Sequence, residues 1–488
     1  MDSNKDSLGG DAIKLTTSKV ITLAISLVSV MLLSRFLTLD EYGTYSQILL
    51  VTNLMTSLLM LGLPNSINYF LARSETVEER QKFLSVYYSL NTILSIIVGL
   101  VLVCSTPLLV QYFDNPLLKN FIYFLAVFPW TKIIMSSIDN VLIVYKRVSL
   151  IMIYRVANGI SLLLILLIVQ ICEWGFQTYM FLFILVETLF AISIYYIVKN
   201  ISGKLIVTFD RAIIKKMLTF SIPIGLASVV GTLNIELDKL MIGNFLGTDK
   251  LAIYTNASRE LPMTIVATSF TALLIPQLAR LLKKGENQIA VDLWGYSMVL
   301  SFIIMCFLVT AVFVFATDVM NFLYSEKFLS GVSVFRVYCL LTLLRFTYFG
   351  MMLNAKGKTK FIFYSSIISL GLNIVLSYIM FKSIGFIGPA VATLLSQFII
   401  NMIQLVYTAK IIGVNFSKVF PWRSLGLITV VNFILGLLFY KVKIFIPLDS
   451  TIGSLFESII LGLLWALLYL SIFLRKIKKQ WRALNKGE

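Results

Sequence analysis

Apolar residues in this chain come in long runs rather than in alternation. Fourteen segments are long and apolar enough to cross a bilayer, which takes about 20 residues of helix: roughly 13–33, 44–70, 83–104, 119–144, 148–171, 178–198, 219–246, 251–278, 291–315, 332–354, 361–381, 386–410, 423–440 and 455–474. The period-2 alternation of a membrane β-strand is absent. The pattern therefore predicts an all-α integral membrane protein with about 14 transmembrane helices. The connections are short, and the longest, around 199–218, has no room for an extramembrane domain. The first segment follows a polar, mixed-charge start without a small-residue cleavage pattern, so it is expected to be a retained helix.

Composition agrees. Of 488 residues, 58% are hydrophobic and 13% charged, against about 25% charged in a soluble domain. The net charge of +17 would suggest nucleic acid in a soluble chain. Its distribution points elsewhere. If loops are numbered alternately from a cytoplasmic N-terminus, 27 Lys and Arg fall on the inside, 7 on the outside and 7 within spans. That bias is the positive-inside rule. Both termini are expected in the cytoplasm, and the basic tail "RKIKKQWRALNK" is expected to touch anionic lipid headgroups rather than nucleic acid. Cys104, Cys172, Cys306 and Cys339 show no metal or CxxC spacing, and there is no histidine. No metal site and no cofactor is expected.

The chain repeats itself. "SRFLTLDEYGTYSQ" (34–47) aligns with "GNFLGTDKLAIYTN" (243–256), matching Asp40 to Asp249 and Tyr45 to Tyr254. Pro64 aligns with Pro276, and "LIVYKRVSLI" (142–151) with "LNAKGKTKFI" (353–362), at nearly the same offset. Residues 1–204 and 205–412 are therefore expected to form two parallel six-helix bundles, related by a pseudo-two-fold axis along the membrane normal with a cavity between them. Residues 413–488 would add two further helices and the basic tail.

Charges inside the spans mark the candidate site. "NIELDKLMIGNFLG" (234–247) places Glu236, Asp238 and Lys239 within four residues of an apolar segment, and Arg259 and Glu260 follow in the next. A charge at mid-membrane costs about 2.5–3.5 kcal/mol on insertion scales, so such groups pair, snorkel or face water. Polar residues recur at i+3/i+4 along several spans: Thr16, Lys19, Thr22, Ser26 and Ser29 on the first, Lys132, Ser136 and Asp139 on the fourth, Ser221 to Lys239 on the seventh. These stripes fit the lining of a hydrated path; sealed interhelical hydrogen bonding is the structural alternative. Lys19, Lys132, Arg155 and Arg345 lie deepest among the cations and are expected to line the path. Phosphate groups are natural ligands for them. Asp139, Glu187, Glu236, Asp238, Lys239, Arg259 and Glu260 are candidates for coupling or gating. Glu236 with Lys239 could equally be a structural salt bridge, and Arg259/Glu260 could bridge to Asp238. Glu187 has no evident local partner and could carry a proton.

With these features the whole chain resembles the polysaccharide-biosynthesis oligosaccharide flippases of the multidrug/oligosaccharidyl-lipid/polysaccharide exporter superfamily. The resemblance rests on "SRFLTLDEYGTYSQ", on "LDKLMIGNFLGTDKLAIYTNASRELP" and on the "LNAKGKTK" loop. Ala252 stands where the family usually has glycine. The resemblance implies a flippase moving undecaprenyl-pyrophosphate-linked oligosaccharide repeat units across the cytoplasmic membrane by alternating access, beside a polymerase partner. No GxxxxGK[ST] nucleotide site is present, so coupling would use a proton or sodium gradient. The alternatives are an ion-coupled multidrug antiporter or a lipid II flippase of the same fold. An antiporter for cations would want an acidic or aromatic pocket, which the net-basic spans disfavour. A glycosyltransferase or polymerase would need acids on sizeable outer loops, and these loops are short, with no DxD anywhere. A scaffold for a polysaccharide assembly complex is the remaining alternative.

Overall fold

The computed structural model describes residues 8–60, 62–445 and 453–486. Lys5, Asp449 and the side chain of Thr16 lie outside the described residues. Among those described, everything regular is helical, and twelve helical stretches are long and apolar enough to cross a membrane. One of the twelve, Thr359–Ile412, comprises two helices separated by a turn at Gly385–Ile387. The expected span at 332–354 is not among them, because it breaks into Val332–Leu343 and Met351–Ala355. Counting Thr359–Ile412 as two and adding the broken 332–354 segment, each of the fourteen expected segments has a helical counterpart among the described residues.

The chain divides into two compact units, Met1–Ala252 and Ile253–Glu488. The first holds α1 (Leu8–Phe36), α2 (Leu39–Met60), α3 (Val77–Phe113), α4 (Ile122–Met135), α5 (Val148–Ile171), α6 (Phe176–Ser202) and α7 (Arg211–Phe245). The packing boundary falls one span later than the repeat boundary expected at 204/205, because α7 lies along α2. The Ser57 and Thr232 hydroxyls hydrogen bond at 3.0 Å, Tyr69 stacks on Phe220 with centroids 4.5 Å apart, and Gly62, at φ +70°, faces the backbone of Gly225. A side chain at Gly62 would be strained twice, by its left-handed backbone and by that close approach. The core of this unit gathers around Leu84, Tyr87, Ile134, Ile151 and Ile194.

The second unit holds α8 (Ile265–Lys284), α9 (Asn287–Val314), α10 (Val332–Leu343), α11 (Thr359–Ile384), α12 (Gly388–Ile412), α13 (Trp422–Phe445) and α14 (Ser454–Lys486). Its centre is α9, which packs against α8, α10, α13 and α14 and supplies Trp294, Met298 and Ile303 to the core. Asn432 on α13 donates to the Cys306 carbonyl at 2.9 Å, and Tyr469 on α14 donates to that of Ile303 at 2.9 Å. The C-terminal helix pair is thus built into this unit rather than loosely appended.

A polar clamp fixes the same pair at its other end. The Asp318 carboxylate, on the short helix Ala316–Tyr324, accepts from Lys443 of α13 and from Ser454 and Ser458 of α14. Burial alone would raise the Asp318 carboxyl, but those three donors more than offset it and hold it below the usual range. A carboxyl with a depressed folded-state pKa stabilises above its unfolded value and loses that contribution as pH falls through the folded one. Asp318→Asn is expected to cost about 2 kcal/mol, the weight of charge-assisted hydrogen bonds. In thermal unfolding the loss should be the same from pH 8 to pH 5. In the native protein the clamp should fail only below about pH 4.

Candidate functional site

The fourth and tenth spans are both broken, and an ion pair sits at each break. In the fourth span α4 stops at Met135, Ser136 and Ser137 form a turn, and a short helix runs from Ile138 to Val144. Irregular backbone at membrane depth is tolerated only within protein or beside water. Here the Ser136 and Ser137 hydroxyls return to the carbonyls of Ile133 and Ile134 at 2.7 and 2.6 Å, and Tyr88 shares a hydrogen bond with Ser137 at 2.8 Å.

Just past this turn, Asp139 faces Arg155 of α5. The guanidinium Nε reaches one carboxylate oxygen at 3.1 Å, and Nη2 pairs with the other. This two-point geometry makes the pair a unit rather than a loose contact. Asn140, next in the chain, donates to the Pro64 carbonyl and accepts from Asn68, both at 3.0 Å. The short helices Pro64–Phe70 and Ile138–Val144 are thereby joined by neutral amides.

One turn along α5 from Arg155, Asn158 donates to Glu187 of α6 at 3.1 Å. Glu187 is only 3% exposed. The sequence showed no local partner for it, and its partner in the structure is an amide from the neighbouring helix. Asn158 and Asn140 were missed in the sequence. Asn158 was findable, being at i+3 from Arg155 and so on the same helical face.

Lys19 and Lys132 stand differently. Both are exposed and neither has an acidic partner among the described residues. Lys132 lies over the Phe128 ring at 5.0 Å, and Lys19 is on α1, which packs against α5. Of the four deep cations, Arg155 is committed to Asp139, and Arg345 to Glu260.

The second unit holds that last pair. The tenth span stops at Leu343 and resumes at Met351, and the residues between are held by side chains from neighbouring helices. Ser301 donates to the Phe346 carbonyl at 2.5 Å, Asn401 to that of Leu344 at 3.3 Å, and Trp294 to the Thr347 hydroxyl at 3.1 Å. Arg345, in the gap, donates to Glu260 at 2.8 Å. Glu260 itself sits in a second gap, between the helices Thr248–Ala257 and Ile265–Lys284. Glu260 is thus paired with Arg345, a partner from another span that the sequence did not suggest. Arg259 lines a cavity with Leu261, Phe335, Tyr338 and Thr342 that has room for about one water molecule.

The charged cluster on α7 contains one local pair. Lys239 pairs with Glu236 at 2.7 Å, both largely buried, and Asp238 is fully buried and held by its surroundings. Among the described residues no group of three His, Cys, Asp or Glu side chains is placed to hold a metal ion.

The described residues form a multi-pass helical bundle with ion pairs at broken spans, and comparison with known proteins places it in a family. The chain belongs to the polysaccharide biosynthesis protein family, whose sequence model matches residues 32–333. It is 24% identical over 241 residues to the probable low-salt glycan biosynthesis flippase Agl15 of Haloferax volcanii, covering 49% of this chain and 50% of that protein. It is 24% identical over 226 residues to the capsular polysaccharide biosynthesis protein CapF of Staphylococcus aureus, covering 45% and 57%. The chain thus spans about half the length of the curated relatives it matches. Its fold matches the lipid II flippase MurJ in an inward closed conformation with a TM-score of 0.73 at 16% identity, over 95% of this chain and 99% of that one. It matches an inward-facing multidrug resistance MATE transporter with a TM-score of 0.68 at 14% identity, over 83% and 98%. These solved structures are transport proteins, not enzymes.

Proposed function

We propose that this chain is a flippase that carries undecaprenyl-pyrophosphate-linked oligosaccharide repeat units from the cytoplasmic to the outer leaflet by alternating access. The observation that carries the reading is the unpaired pair of cations, Lys19 and Lys132, within spans of a polysaccharide-biosynthesis chain. An exposed ammonium in a membrane span is costly unless it meets water or an anion, and a pyrophosphate supplies both charge and acceptors. Arg155 and Arg345 hold the broken spans and would meet substrate only by exchanging partners. Both termini in the cytoplasm, the repeat division at 204/205 and 412/413, and a polymerase partner belong to the same proposal.

Deleting the gene in its native host tests the reading. Lipid extracts should then accumulate the lipid-linked oligosaccharide while surface polymer is lost, and mass spectrometry names the sugars. Accumulated lipid II would instead point to the peptidoglycan precursor. Unchanged lipids with new sensitivity to cationic drugs would point to an antiporter. Reversing charge at Lys19 and Lys132 together is expected to abolish complementation of that deletion. Protein level should be unchanged, because neither side chain holds a partner that would be orphaned.

Glu187 is proposed as the residue that couples transport to protons or sodium. Glu187→Gln keeps an oxygen for the Asn158 amide and should leave thermal stability within about 1 kcal/mol. Gradient-dependent transport should nevertheless be lost in vesicles with an imposed ion gradient. Full gradient dependence in this variant would remove Glu187 from the coupling path.

A further inference from the structure

The segment joining α6 to α7 is strapped to the protein. Gln81 of α3 donates to the Ser202 carbonyl at 2.7 Å. The Ser85 hydroxyl accepts from the Ile206 N–H at 3.2 Å, and that of Ser89 from the Thr208 N–H at 3.1 Å. Lys82 closes the far end on Asp210 at 2.6 Å. Positions 81, 85 and 89 are four apart, so one face of α3 holds residues 203–210 lengthwise.

The other side of this strap is unusual for a cytoplasmic connection. Leu205 packs against the unit's core, but Ile206, Val207 and Phe209 are 51%, 83% and 52% exposed. No protein group takes the Val207 N–H among the described residues. A bare N–H is not tolerated in hydrocarbon, and three adjoining apolar side chains are poorly placed in bulk water. The level that satisfies both is the boundary between headgroups and acyl chains. Around the strap, Lys199, Lys204, Arg211, Lys215 and Lys216 are all exposed and have no acidic partner among the described residues. The one nearby acid, Asp210, is taken by Lys82 and by the N–H groups of Ala212 and Ile213 at the start of α7.

We propose that residues 203–210 form an interfacial strap. It seats Ile206, Val207 and Phe209 at the acyl boundary of the cytoplasmic leaflet and gathers anionic phospholipid headgroups of the bilayer onto the surrounding lysines and arginines. The occupant is the bilayer's own lipid because the cations flank an apolar patch in the pattern of a basic interfacial anchor. The proposal does not depend on which substrate the protein carries.

The test places a nitroxide at Val207→Cys in the full chain, with Cys104, Cys172, Cys306 and Cys339 replaced by alanine. The protein is reconstituted in phosphatidylcholine vesicles with or without phosphatidylglycerol. Collision with a water-soluble nickel chelate is compared with that of a label at Lys358→Cys, in another short exposed turn. With phosphatidylglycerol, the label at 207 should be shielded about fivefold relative to that at 358, the weight of one basic residue at a charged surface. Replacing Lys204, Lys215 and Lys216 by glutamine should remove the dependence on anionic lipid. Equal chelate access at 207 and 358 in both vesicles would overturn the proposal, leaving a solvated loop. Shielding that ignores lipid charge would overturn the headgroup assignment. Shielding seen only in native membranes would assign the patch to a protein partner instead. Ser85→Ala with Ser89→Ala should free the label's motion; unchanged motion would overturn the strap.

Discussion

Asp139→Ala is expected to be among the most damaging single substitutions in the protein. It leaves the Arg155 guanidinium, held at two points by that carboxylate, without a counter-charge inside a membrane span. The pair is half-buried, so breaking it from one side is expected to cost about 2 kcal/mol, the weight of charge-assisted hydrogen bonds. Asp139→Ala with Arg155→Met removes both charges and should recover most of the loss. A double-mutant cycle on thermal unfolding of the purified protein measures the difference. Surface polymer reports function in the same strains. If the double variant is stable yet still fails to export, the pair has a role in transport beyond holding the fourth span to the fifth. If both single variants are as stable as the parent, the pair contributes nothing to the fold.

A second large effect is expected at Gly99. A Cβ there would overlap the Ala126 carbonyl oxygen, where α3 crosses α4. The obstacle is backbone rather than a flexible side-chain tip, so the helices themselves must separate. Gly99→Val should cost about 3 kcal/mol, the upper end of ordinary overpacking, and show as loss of folded protein in size-exclusion profiles. Gly295 of α9 is the control. Nothing lies within 4 Å of its Cβ position, and Gly295→Ala should be neutral or stabilising by about 0.5–1 kcal/mol. Equal behaviour of the two variants would show that the α3–α4 approach is looser than described.

The contrast between those two glycines shows where the sequence stops being informative. Long apolar runs sufficed to locate the helices, because a spanning helix must satisfy its own backbone over a fixed apolar length. The pairing of Glu236 with Lys239 was legible for the same reason, being a local i,i+3 relation. The breaks at 136–137 and 344–350 were not legible. Hydropathy averages over a window, and a helix interrupted inside protein stays as apolar as a continuous one. Pro129 and the adjoining Ser136 and Ser137 are the only local hints in the first case, and the run from Arg345 to Gly350 in the second. Partners distant in sequence were also hidden. Glu187 looked solitary because its amide comes from Asn158 on another helix, and Glu260 finds Arg345 from 85 positions away. The placement of α7 with the first unit is likewise a matter of which faces meet, set by Thr232 on Ser57 and Gly225 on Gly62, not of where the repeats divide.

The central claim concerns which leaflet holds the lipid-linked oligosaccharide. It is tested most directly by depleting the protein from cells and treating intact spheroplasts with periodate, which oxidises sugars only on the outer surface. If the chain is the flippase, newly made lipid-linked repeat units should resist oxidation in depleted spheroplasts and become sensitive once the protein is restored. They should stay resistant when it is restored with Lys19 and Lys132 reversed in charge. Lipid-linked repeat units that reach the outer leaflet at the normal rate without the protein would contradict the account.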